Sequence, residues 1–126
     1  MWVYEQNTGI LRDDNGQLIA RGYSGHGDGL NNPLLQDVAM VGPIPRGIYE
    51  IEPAVDNETT GPLTIPLVML HNIQTSQRYG FLIHGDEINP LMPRNASHGC
   101  IILDRDTRET IAHSDDHYLV VIAGQM

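Results

Sequence analysis

Glycine and proline punctuate this chain so densely, 13 and 8 residues of the 126, that its apolar runs are cut to strand length. Leu67 to His71, Phe81 to Ile83, Ile101 to Leu103 and His117 to Ala123 are each shorter than a stable globular helix and each is bounded by turn formers. This pattern predicts a mostly β fold. With 40% hydrophobic residues the chain can bury a core without disulfide or metal staples, and we read residues 1–126 as a single domain with no linker or repeat.

Trp2 to Gln6 and Gln17 to Tyr23 flank Asp13-Asp14-Asn15-Gly16, an Asn-Gly turn signal that predicts a hairpin at the start. Ser24 to Asn32 should be a glycine-rich loop. Gly42-Pro43-Ile44-Pro45-Arg46-Gly47 is a stiff turn feeding a strand over Ile48 to Glu52. Val55 to Pro66 is polar and is expected to be a surface excursion. The run Gly80 to Ile83 ends at His84-Gly85, and Asp86 to Asn95 should be a loop returning the chain to Ser97. One helix is expected near Thr107 to His113, capped by Asp104 or by Asp106 with Glu109 as a capping-box partner.

A net charge of −9 with only 7 Lys and Arg repels polyanions, so a nucleic-acid partner is not expected. No segment approaches the roughly 20 continuous apolar residues of a membrane span, so membrane insertion is not expected either. Met1 to Asn7 lacks a basic region followed by an apolar stretch; we therefore expect synthesis in the cytoplasm without a Sec-type leader.

The single cysteine, Cys100, cannot form an internal disulfide. It sits in Ser97-His98-Gly99-Cys100, which follows His84-Gly85 after a loop. A thiol with a pKa of about 8.5 needs a nearby imidazole to act as a nucleophile, and both His84 and His98 are candidates to supply it. Gly99 lets the backbone turn sharply, which would aim the amides of Gly99 and Cys100 at one point and build an oxyanion hole. The bland alternative makes Gly99 a turn residue, His98 a solvated neighbour and Cys100 a small core residue.

His84 followed by Ser97-His98-Gly99-Cys100-Ile101 resembles the signature of the YkuD-like L,D-transpeptidase catalytic domain. Gly22-Tyr23-Ser24-Gly25, Asn31-Asn32-Pro33 and Gly42-Pro43-Ile44-Pro45-Arg46-Gly47-Ile48-Tyr49 extend the likeness to the L,D-transpeptidase effectors of bacterial type VI secretion. The resemblance implies a β-sandwich of two packed sheets with one short helix after the cysteine strand. It implies Cys100 as nucleophile, His84 as base steered by the Gly85 carbonyl, and His98 in support. Ser97, Arg94, Tyr23 and Asn32 become candidate substrate contacts; against this, Ser97 resembles a turn residue bonding the backbone, Arg94 reads as a solvated loop side chain, and turn formation and packing explain Tyr23 and Asn32 as readily. The implied substrate is the tetrapeptide stem of peptidoglycan, with no cofactor or metal. Export into the periplasm of rival bacteria, an immunity protein and the secretion machinery are implied too. The wider transpeptidase family usually has an Arg or Asn two residues after the cysteine, where this chain has Ile102.

Two other classes compete. A metal-dependent hydrolase would draw ligands from His26, Asp28, His84, Asp86 and His98, but their spacing matches no common ligand motif. A non-catalytic wall-binding module would need exposed rings for sugars, and aromatic content is 6%.

Overall fold

The computed structural model describes residues 1–72, 78–86 and 96–124. Ten strands and one helix follow in the order β1 (Trp2–Glu5), β2 (Ile10–Arg12), β3 (Leu18–Arg21), β4 (Tyr23–Ser24), β5 (Gly47–Ile51), β6 (Val55–Asn57), β7 (Gly61–Asn72), β8 (Leu82–His84), β9 (Ile101–Ile102), α1 (Arg105–Ala112) and β10 (Tyr118–Ile122). The mostly β class and the single helix among the described residues agree with the sequence expectation.

The strands pair in the order β3-β2-β1-β10-β5-β7-β8-β9-β4, with β6 added to β7. The long strand β7 joins the two parts of this arrangement: Leu67 to Asn72 pair with β5, whereas Ile65 and Pro66 pair with β8. The sheet therefore curls into a nearly closed barrel-like wall. Alternate residues of β1 and β5, among them Tyr4 and Tyr49, point inward, as a period of two requires. They meet Ile65, Ile83, Ile101, Leu119 and, from α1, Ile111 in one core.

The Asn15-Gly16 turn closes a hairpin, but its first arm is β2 and not Trp2 to Gln6. The Asp13 carboxylate accepts from the amides of Asn15 and Gln17, and Gly16 supplies the positive φ of 80°. An earlier reversal at Gly9, where φ is 74° and a Cβ would collide with the Gly22 carbonyl, frees β1 to pair in parallel with β10. The polar stretch from Val55 is exposed as expected at its start, yet it is a hairpin of β6 with β7, turned by the Asn57 side chain accepting from Thr59 and Thr60. Asp104 caps α1 by accepting from the Thr107 amide at 2.8 Å. Asp106 lies inside the first turn, and Glu109 pairs with Arg105, so the alternative capping box is not formed. No helix among the described residues is long and apolar enough to cross a membrane.

Candidate active site

Two short parallel strands place the chemistry. In β8 and β9, Ile83 is opposite Ile101 and His84 is opposite Ile102, with Ile83 and Ile101 buried in the core. Strand alternation therefore sends His84 to the other face, and Cys100, one residue before β9, starts on that same side. His84 and Cys100 line one cleft of about 540 Å³ together with Gly85, Asp86, His98 and the Glu58–Gly61 turn between β6 and β7.

The His84 ring is held in one orientation. Its Nδ1 lies 2.9 Å from the Gly85 carbonyl oxygen; as the donor in that bond, Nδ1 leaves Nε2 as the proton acceptor. Burial lowers the His84 pKa from the usual imidazole value and the charge of Arg108 adds to this, against the opposing pull of the Gly85 carbonyl and Asp86. Burial pushes the Cys100 thiol up, while the Leu82 amide and the charge of Arg78 pull it down. Both shifts favour the neutral forms, imidazole and thiol, over a preformed ion pair.

Gly85 also makes room. A Cβ there would lie 2.8 Å from an Arg108 guanidinium nitrogen. Arg108, buried on α1, donates to the carbonyls of Leu103, Asp104, Pro62 and Leu63, so it ties the helix to the start of β7, just after the turn that lines the cleft. Nothing in the sequence pattern singled out Arg108; its only signal is an arginine on the helix face that also carries Ile111.

The Ser97–Cys100 turn is built around the Ser97 hydroxyl, which is fully buried. Ser97 Oγ donates to the Cys100 carbonyl (2.5 Å) and accepts from the amides of Gly25 (2.9 Å) and Gly99 (3.1 Å). Gly99 adopts φ 137°, and a Cβ there would run into the Arg78 guanidinium, so the sharp turn expected at this glycine is present. The expected oxyanion pair is corrected in one member. The Gly99 amide is turned back onto Ser97, whereas the Cys100 amide has no partner among the described residues.

His98 differs from His84. Its ring is exposed and meets His26 edge-on with centroids 4.9 Å apart, while His26 Nδ1 lies 3.2 Å from the Ser97 carbonyl oxygen. Tyr23 is buried; its hydroxyl donates to Asp86 (2.5 Å) and accepts from the Ala96 amide (3.2 Å). It thereby bolts the segment after His84 to the segment before Ser97. Asn32 caps the turn at Pro33–Leu35 and donates to the Asp28 carbonyl. Ser97, Tyr23 and Asn32 thus each make hydrogen bonds within the scaffold, and Arg94 lies outside the described residues. No three His, Cys, Asp or Glu side chains converge into a metal-binding group among the described residues.

A second cleft of about 680 Å³ shares Cys100 and His98 with the first and is otherwise lined by residues that include Arg78, Phe81, Asp37 and Met40. A third, of about 410 Å³ between β5, β10 and α1, contains none of the candidate residues. A family model for the Tlde1 domain matches residues 19–122, a span that contains every candidate residue named above. No curated protein and no solved structure matches the chain.

Proposed function

Since the family model spans most of the chain, the protein belongs to the Tlde1 domain family of type VI secretion effectors, and from this premise we propose that it is a cysteine-dependent peptidoglycan-modifying enzyme. Its substrate is the tetrapeptide stem, attacked at the bond between the L-centre of the third residue and the terminal D-alanine. The reading is carried by one observation: His84 and Cys100 line the same cleft, with His84 Nδ1 tied to the Gly85 carbonyl and Nε2 left as acceptor.

In this reading Nε2 of His84 takes the thiol proton as Sγ of Cys100 adds to the stem carbonyl carbon. The carbonyl oxygen becomes an oxyanion, and the Cys100 amide, which has no partner among the described residues, is a backbone donor free to meet it. Collapse breaks the C–N bond; D-alanine leaves as the amine with the proton returned by His84, and a thioester remains on sulfur. Water, a free D-amino acid or an amine from another stem then attacks the thioester, giving up a proton that goes back to the thiol. The products are, in that order, a carboxypeptidase product, an exchanged stem and a cross-link. The protein acts in the periplasm of target bacteria after delivery by the secretion machinery, and an immunity protein protects the producer.

The test is to incubate the protein with tetrapeptide muropeptides, with and without a D-amino acid, and read product masses. Loss of D-alanine or its replacement, absent with Cys100→Ala, is expected. Activity that survives Cys100→Ala would overturn the nucleophile, and inhibition by a chelator reversed by zinc would favour a metal hydrolase instead.

A further inference from the structure

The side of the site away from His84 is governed by a residue in none of the sequence motifs. Arg78 is partly buried, and its guanidinium donates to four backbone carbonyls. Nη1 reaches Gln36 (2.5 Å) and Pro43 (2.9 Å), and Nη2 reaches Gly42 (3.2 Å) and His98 (2.9 Å). Its central carbon also lies 5.2 Å from the centroid of the Phe81 ring. One side chain thus joins three pieces far apart in sequence: the 36–43 segment, the residue leading into β8 and the turn that carries Cys100. Gly99 leaves the space this guanidinium occupies.

A cation held by four fixed acceptors and an aromatic face has little freedom to reorganise when charge develops beside it, which is the condition for effective electrostatic stabilisation. Arg78 and Cys100 line the same cleft. The position two residues after the cysteine supplies no charge, because Ile102 is apolar and buried. The other titratable groups lining the two clefts with Cys100 are His84 at the end of β8, His98 on the turn itself, Glu58 and Asp86 in one cleft, and Asp37 and Tyr79 in the other. Among the described residues, Arg78 is the one arginine or lysine lining either cleft.

We propose that Arg78 is a positioning residue for Cys100: it fixes the His98–Gly99–Cys100 turn against the 36–43 wall and keeps a positive charge beside the thiolate as the sulfur loses its proton. This rests on Cys100 as the nucleophile; together with the Leu82 amide, the Arg78 charge works against burial of the thiol.

The experiment follows alkylation of Cys100 by iodoacetamide against pH in wild type, Arg78→Gln and Arg78→Lys, with turnover of tetrapeptide muropeptides and melting temperature measured on the same samples. Arg78→Gln should move the alkylation midpoint up by about one unit, the effect of removing a nearby opposite charge. Arg78→Lys should keep the midpoint near that of wild type but lose turnover on the order of 10²-fold, because an ammonium cannot fork across four carbonyls and the turn loses its register. An unshifted midpoint in Arg78→Gln, or full turnover in Arg78→Lys, overturns the proposal. If Arg78→Gln fails to fold, the lysine variant, which keeps the charge, still decides through turnover. Alkylation needs no peptidoglycan, so a failed substrate assignment would leave the midpoint comparison standing.

Discussion

His84 and His98 line the same cleft as Cys100, and the chain holds them in opposite ways. The His84 ring is buried and fixed through Nδ1 to a backbone carbonyl, whereas it is the backbone of His98 that is fixed, through Arg78, with its ring exposed against His26. A general base must present one nitrogen in one tautomer at a steady position; a residue that contacts substrate benefits from a ring that can adapt. Within the proposed function, this difference is the ground for giving proton transfer to His84 and a supporting role to His98. Proximity to the cysteine in sequence would have suggested the reverse.

The comparison can be broken at several points. Cys100→Ala should remove cleavage and exchange altogether, measured as product masses from tetrapeptide muropeptides, since no other group can carry the thioester. His84→Ala should lower kcat/KM by about 10³-fold, within the range for loss of a general base, and the loss should not add to that of Cys100→Ala. His98→Ala should cost less than about tenfold in kcat, with any larger effect falling on KM, as expected for uniform binding. Equal losses at the two histidines would dissolve the distinction.

Acid titration sharpens it further. Because burial holds His84 below the usual imidazole range, its basic form persists as pH falls through about 6.5 and is lost only at the lower folded-state value. The acid limb of kcat/KM should therefore lie below 6.5, and a limb at or above that value would point to a solvated histidine as the base. The smallest effect belongs to the scaffold. Ser97→Ala strands two amide donors and one carbonyl in a buried turn, and should destabilise the protein by about 1–3 kcal/mol in chemical denaturation. Destabilisation near zero would mean that the turn is held without it.

Much of this was legible in the sequence because it depended on local chemistry. Pro43, Pro45 and Gly47 mark the turn into β5, Asp104 marks the helix start, and Gly99 marks the sharp turn before the cysteine. What was not legible depended on which distant backbone a side chain meets. The Ser97 hydroxyl reaches Gly25 across 72 positions, and Arg78 reaches Gln36 across 42. Neither contact has a periodicity or spacing to betray it. The Glu58–Gly61 turn looked like a surface excursion because it is polar; only the pairing of β7 with β8 brings it to the cleft. The sequence points to the wrong first arm of the opening hairpin for a related reason, since Gly9 reverses the chain through a close approach to Gly22 that no turn motif announces.

The most direct measurement is acylation of the protein itself, followed by intact mass after rapid mixing with tetrapeptide muropeptides for wild type, His84→Ala and His98→Ala. A covalent adduct of the stem minus D-alanine should form on Cys100 in wild type and, within about tenfold of that rate, in His98→Ala, while His84→Ala stays unmodified on the same timescale. An adduct that forms normally in His84→Ala and fails in His98→Ala would contradict the account.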